Sequence, residues 1–303
     1  MMINDLQTDV ETIQRNTSLW NETNFESRIG ALDDLEFVID QIDSLRQLNS
    51  PRVELISLKQ SAQRIKSDLE AINLALFWRL RRDIRNGLYQ GTALLDLINV
   101  YAGSSLLSGQ PNNPVVGYDN LDVFTNGLFP LEVPPIETQV REPEMVFYQK
   151  TPTRIVLELV AKANLTNKDI FYDLGSGLGH VCVLVNLLTG ATTKGIEVEP
   201  AYWAYATFCT TDLNLSNVEF ICQDARTATY SDGSVFFLYT PFEGRLLQTV
   251  LDKLQVLSWS RPIRLFSYGP CTAPIAQQSW LRCIGNVEDY RYEMGEFRSC
   301  PID

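Results

Sequence analysis

Residues 169–185 read DIFYDLGSGLGHVCVLV. An apolar run reaches Asp173, then Gly175, Gly177 and Gly179 fall within five positions, then a second apolar run begins at His180 with helical spacing. Strand, bare turn and helix in that order form the opening of a parallel-sheet unit. The flanks repeat the rhythm. TTKGIEV (192–198) is a strand and PAYWAYATFCTTDLNL (200–215) a helix. VEFICQDA (218–225) and SVFFLYTPF (234–242) are strands, GRLLQTVLDKLQVL (244–257) is a helix, and IRLFSYG (263–269) is another strand. TPTRIVLELVAKANL (151–165) supplies a helix ahead of the loop, with Thr151 as its cap and Pro152 in its first turn. Such alternation predicts an α/β fold: a doubly wound, Rossmann-like, mostly parallel sheet with helices on both faces. WLRCIGNVEDYRYEMGEFRS (280–299) adds one or two closing strands.

The N-terminal third follows a different period. Leu32, Leu35, Val38, Ile39, Ile42 and Leu45 recur at three- and four-residue steps, as do Ile56, Ala62, Ile65, Leu69, Ile72 and Leu76. Between the two series Ser50 can cap and Pro51 can open a new helix, so the pair predicts an antiparallel helical hairpin, with a further helix over 89–101. Residues 103–146 are rich in Gly, Pro and Asn. Val123, Phe124, Leu128 and Phe129 are too apolar for a solvated linker. The expected organisation is therefore an α-helical domain over 1–102, a connecting segment over 103–146 packed on the catalytic domain, and a ligand-binding α/β domain over 147–303.

The chain of 303 residues carries a formal charge of −12, spread evenly: residues 1–130 hold 11 Lys and Arg against 17 Asp and Glu, and residues 131–303 hold 14 against 20. Neither part is a basic module, and counterion release rewards a basic face, so a nucleic-acid partner is not expected. The densest basic stretch, WRLRRDIR with Arg79, Arg81, Arg82 and Arg85, reads as a solvated helix face near a C-terminus at Asn86-Gly87. Six scattered cysteines show no metal-like spacing and read as reduced thiols. No apolar run of membrane length and no secretory signal stands out, which sets a cytoplasmic protein as the expectation. His180 is the single histidine, which leaves little room for a histidine-based metal site or triad.

The glycine loop narrows the ligand. In doubly wound sheets ligands bind beyond the carboxyl ends of the strands, where the strand order reverses. A dinucleotide fingerprint needs a third glycine where His180 stands, and a phosphate loop needs a lysine that is missing. Asp173, two residues before the first glycine, would repel a pyrophosphate but suits an amine or a sulfonium.

FYDLGSGLGH, GIEVEP and ICQDA, in that order, resemble the first three motifs of class I S-adenosylmethionine-dependent methyltransferases, over roughly 147–300. With QKTPTRIVLELVAKANLTNKDI ahead of them, they are most similar to the non-SET histone-lysine methyltransferases of the disruptor-of-telomeric-silencing type. The resemblance implies that Asp173, Gly175 and Gly177 hold the methionine end of the cofactor, with Tyr148, Gln149 and Thr151 closing over it. It implies that Glu197, 24 residues after Asp173, accepts the two ribose hydroxyls. Gln223, Asp224 and Ala225 would serve the adenine, Asp224 through its exocyclic amine. LYTPFEG after the fourth strand resembles the N/D-P-P-Y motif of amino-group methyltransferases, but Tyr239 and Thr240 replace its first two residues while Pro241 and Phe242 keep the last two. Tyr239, Thr240 and Phe242 are the expected acceptor wall, with Tyr268 near the same edge. Phe242 also reads as plain core packing. His180 and Glu243 are the candidate bases, though His180 reads equally as packing beside the cofactor.

The expected function is methyl transfer from S-adenosylmethionine, leaving S-adenosylhomocysteine, to a nucleophile on a protein, a lysine among the options, or on a small molecule. Methyl transfer to such a group needs no metal. The alternative is a cofactor-binding scaffold whose helical domain binds a partner; a homodimer through the helices is a further expectation.

Overall fold

The computed structural model describes residues 3–48, 53–103, 119–130, 133–285, 289 and 291–300. The proposed cap at Ser50 and Pro51 lies outside the described residues. The rest falls into two compact units, one holding residues up to 82 with 97–103 and 119–128, the other 83–96 and the chain from 129 onward.

The helical unit is built from α1 (Ile3–Arg15), a 3-10 turn (Thr17–Trp20), α2 (Phe25–Leu48), most of α3 (Val53–Arg85), the end of α4 (Thr92–Ala102) and α5 (Asn120–Gly127). Leu35, Val38 and Ile42 of α2 pack with Leu55, Ala62, Ile65 and Leu69 of α3, and Leu6 and Val10 of α1 join them. The ion pairs Lys59–Asp43 and Lys66–Glu36 fix the register: moving seven residues up one helix moves seven down the other, so α2 and α3 run antiparallel. Residues 120–127, read from sequence as connecting chain, form α5, capped reciprocally by Asp119 and Asp122. Phe124 on α5 closes an aromatic cluster with Phe25, Phe77 and Tyr101.

The arginine stretch is a solvated face only at Arg82. Arg81 is buried and donates from Nε and Nη2 to the Gly127 carbonyl, and Arg79 pairs with Glu22 and Tyr101. In the sheet unit Arg85 binds the Asp212 carboxylate and carbonyl. Long guanidinium stems satisfy backbone and carboxylate groups here, a use that charge patterning along one helix does not reveal.

The sheet unit holds α6 (Thr153–Ala163), β1 (Ile170–Leu174), α7 (His180–Thr189), β2 (Thr192–Glu197), α8 (Pro200–Asp212), β3 (Val218–Cys222), β4 (Val235–Leu238), α9 (Gly244–Ser258), β5 (Arg264–Ser267), α10 (Thr272–Ala276), β6 (Leu281–Cys283) and β7 (Gly295–Ser299). The seven strands lie in the order β3-β2-β1-β4-β5-β7-β6. β1 to β5 are parallel, and β7 runs antiparallel between β5 and β6. This is the doubly wound sheet the alternation predicts, with two closing strands. α6 begins at Thr153 with Pro152 in the cap position and no side-chain cap, so Thr151 does not cap it.

Strand alternation sorts the residues of β1. Tyr172 and Leu174 join Phe236 and Leu238 in the core beneath α9, while Phe171 stacks on Phe237 on the other face, the face that carries Asp173. The order reversal falls between β1 and β4, so the glycine loop and Tyr239–Phe242 meet at the carboxyl edge of the sheet.

Candidate active site

A cavity of about 870 Å³ opens at that edge, within the size range of small-molecule and cofactor sites. Tyr148, Thr151, Asp173, Gly175, Gly177, Glu197, Gln223, Asp224, Ala225, Tyr239, Thr240 and Phe242 all line it, as do Gln149, His180, Glu243 and Tyr268. Eight acidic side chains and three arginines line it in total, a balance that suits a cationic ligand.

The glycine loop is stitched to β2: Gly175 and Ser176 N–H both donate to the Ile196 carbonyl, at 2.9 and 3.0 Å. Gly175 and Gly177 sit at φ +89° and +51°, where a side chain is strained. Their bare faces are also filled by protein. A Cβ at 175 would lie 2.2 Å from Pro241, and one at 177 would lie 2.3 Å from the Tyr148 ring. The loop is thus shaped for the close approach of Pro241 and Tyr148 as well as for a ligand.

Glu197 ends β2 with both carboxylate oxygens engaged: Gly177 N–H donates to Oε2 at 2.7 Å and Glu199 N–H to Oε1 at 2.8 Å. Each oxygen keeps a second acceptor site, so two vicinal hydroxyls can still bind. Burial raises the Glu197 carboxyl above the usual range, against those two amides. Asp173 is buried without an ion pair among the described residues, and burial together with the nearby Glu197 pushes its carboxyl up to about 8. His180 opens α7, buried against Phe129 with ring centroids 3.9 Å apart, and burial holds it neutral. Its Nδ1 and the Ser176 Oγ are buried with no hydrogen-bond partner among the described residues, and both residues line the cavity. Orphaned buried polar atoms are costly unless a bound molecule satisfies them. With a lone acid for a cation and a strand-end acid for a diol, the residues fit S-adenosylmethionine.

Asp224 is held on β3's outgoing turn by Arg226, which pulls its carboxyl below the usual range. Gln223 is exposed and donates weakly to Thr227, while Ala225 is buried in the core beneath α9.

At the other end Thr240 has φ +39°, an outlier for a β-branched residue and a strain of about 1–3 kcal/mol. The loop after β5 holds it there: Thr240 Oγ1 donates to the Tyr268 carbonyl and accepts from Cys271 N–H. Tyr239 and Tyr268 tilt against each other 6.0 Å apart, and Phe242 is buried. Phe242 belongs to the core beneath α9 and also lines the cavity.

Residues 137–146, within the expected connecting segment, form a strap that lines the cavity. Tyr202 donates to Glu137, and Thr138 and Gln139 donate to Glu199. Glu142 pairs with Arg226; Glu144 accepts from Leu246 N–H at the start of α9. Met145 bridges Phe242 and Val146 N–H donates to Pro241. The signal was an acid-rich run, Glu137 to Glu144, whose partners lie far off in sequence, Glu199 inside GIEVEP among them.

Residues 144–238 match the family model described as histone methylation protein DOT1, the family the loop motifs resemble. Among solved structures the chain is similar to an RNA methyltransferase from Salinibacter ruber in complex with S-adenosyl-L-homocysteine, at 23% identity and a TM-score of 0.41, over 51% of this chain and 95% of that one. It is also similar to a SAM-dependent methyltransferase from Aquifex aeolicus, at 17% identity and a TM-score of 0.40, over 49% and 93%. No curated protein matches.

Proposed function

We propose that this chain, an S-adenosylmethionine-dependent methyltransferase by its motifs and family match, transfers the methyl group to an amine nitrogen on a protein, a lysine side chain. The observation that carries the reading is the convergence of the loop motifs of β1, β2 and β3 on one acidic cavity that also holds the strained Tyr239–Phe242 turn. Asp173 meets the cationic methionine end, beside Gly175, Gly177, Tyr148 and Thr151. Glu197 takes the ribose hydroxyls, and Gln223, Asp224 and Ala225 face the base. Tyr239, Thr240 and Phe242 wall the acceptor, whose amine is oriented and kept dry by the aromatic rings. When bound, the cofactor would supply an electrophilic methyl on sulfur. A lysine attacks it only as the neutral amine, so its ammonium proton must first pass to solvent or to Glu243 at the cavity wall, and the protein then holds the amine in line. Scattered reduced thiols support a cytoplasmic setting, and no helix among the described residues is long and apolar enough to cross a membrane. The helical unit serves acceptor recognition or pairs two copies of the chain.

Titration of S-adenosylhomocysteine into the wild type and Glu197→Ala tests the cofactor half. The expected result is micromolar binding that the substitution weakens at least tenfold, about 1.4 kcal/mol. Labelled methyl transfer to a panel of lysine-bearing proteins, with their lysine-to-arginine variants, tests the acceptor half. Transfer that survives loss of every lysine would move the reading to another nucleophile.

A further inference from the structure

Asp224 accepts four donor contacts, all from one residue. Arg226 N–H reaches Oδ1 at 2.7 Å, its Nε reaches Oδ1 and Oδ2 at 3.1 and 3.0 Å, and its Nη2 reaches Oδ2 at 2.5 Å. Three N–H hydrogens make these contacts, with Nε–H shared between both oxygens, so each Asp224 oxygen is already engaged by Arg226 and an incoming amine must compete with it. Arg226 holds a second carboxylate at the same time. Its Nη1 and Nη2 fork onto Glu142 of the strap at 3.1 and 2.6 Å. Glu142 and Asp224 both line the cavity. The guanidinium can therefore release an Asp224 oxygen and keep a charged partner. Lys253, the other cation acting on Asp224, donates instead to the Arg226 and Ala228 carbonyls.

We propose that Arg226 is a positioning residue that competes with the exocyclic amine of a bound purine for Asp224, and so sets the affinity and base selectivity of the nucleoside end. This rests on the cofactor reading above. Two consequences separate it from a purely structural clamp. The penalty applies to ligands that bring an N–H donor to Asp224 and not to those that bring none. It is also ionic, so salt relieves it.

The test is calorimetric titration of S-adenosylhomocysteine and of its deaminated analogue, with hydrogen in place of the 6-amino group and so no donor at that edge, into the wild type, Arg226→Ala and Glu142→Gln. Arg226→Ala is expected to bind S-adenosylhomocysteine roughly threefold to fivefold more tightly, the scale of one partly exposed ion pair, with no gain for the deaminated ligand. Glu142→Gln loosens the strap but leaves Arg226 on Asp224, and should give no gain for either. In the wild type, rising salt should tighten S-adenosylhomocysteine binding alone, a readout that stands even if Arg226→Ala does not fold. Equal effects on both ligands, weaker S-adenosylhomocysteine binding by a folded Arg226→Ala, or a salt response shared by both ligands would overturn the proposal. A wild type that binds neither ligand would overturn the cofactor reading itself.

Discussion

Each unit buries an ionisable side chain, and the two are treated in opposite ways. In the helical unit Arg28 is fully buried, yet its guanidinium donates to Asn73 Oδ1 and to the Leu19, Asn21 and Glu22 carbonyls at 2.7 to 3.0 Å. Each contact closes a turn ahead of α2 or ties α2 to α3. In the sheet unit Asp173 is buried near a second acid, Glu197, with no ion pair among the described residues, and the same cavity is lined by Ser176 and His180, whose Oγ and Nδ1 have no hydrogen-bond partner among those residues. A satisfied buried charge serves the fold. An acid buried without a partner in a cavity wall marks where a cationic ligand belongs.

The contrast can be broken from either side. The largest expected effect is on the closed network. Arg28→Met takes the donor from the buried Leu19 carbonyl and Asn73 Oδ1 and loosens the partly exposed Asn21 and Glu22 carbonyls, and should destabilise the helical unit by about 3 kcal/mol, read from the midpoint of helical unfolding by circular dichroism. An unchanged midpoint would mean that water reaches those carbonyls. Gly175→Ala comes next. It places a Cβ against Pro241 at φ +89°, at a conformational cost of about 1–2 kcal/mol before any clash, and should lower both the sheet unit's stability and its affinity for S-adenosylhomocysteine. Ligand affinity that survives the substitution would show that Pro241 can move without disturbing the loop.

The same contrast explains what the sequence discloses. β-strand and helix periods, the acid two residues before Gly175, and the strand-end acids Glu197 and Asp224 are local patterns, and a sheet places strand ends on one edge by topology alone. Partners distant in sequence leave no such trace. Nothing near Arg226 foretells Glu142, 84 residues earlier, and nothing near Arg81 foretells the Gly127 carbonyl. α5 hides because its capping box is two aspartates, Asp119 and Asp122, in a run that otherwise reads as turns. The positive φ of Thr240 is invisible for a related reason. A β-branched residue argues against that conformation, and only the Tyr268–Cys271 loop packed against it supplies the restraint. Local signals thus place the glycine loop and the strand-end acids on one edge of the sheet, while contacts distant in sequence hold the strap and the Tyr239–Phe242 turn.

The most direct measurement is the pH dependence of S-adenosylmethionine binding to the wild type and Asp173→Asn. With its carboxyl pushed up to about 8, Asp173 is protonated at pH 6 and must lose that proton to pair with the cationic methionine end. Wild-type affinity should therefore rise by up to roughly tenfold per pH unit between 6 and 8, while Asp173→Asn, weaker throughout, stays flat. A wild type without that slope, or a variant that keeps it, would contradict the assignment of Asp173 as the cavity's open charge.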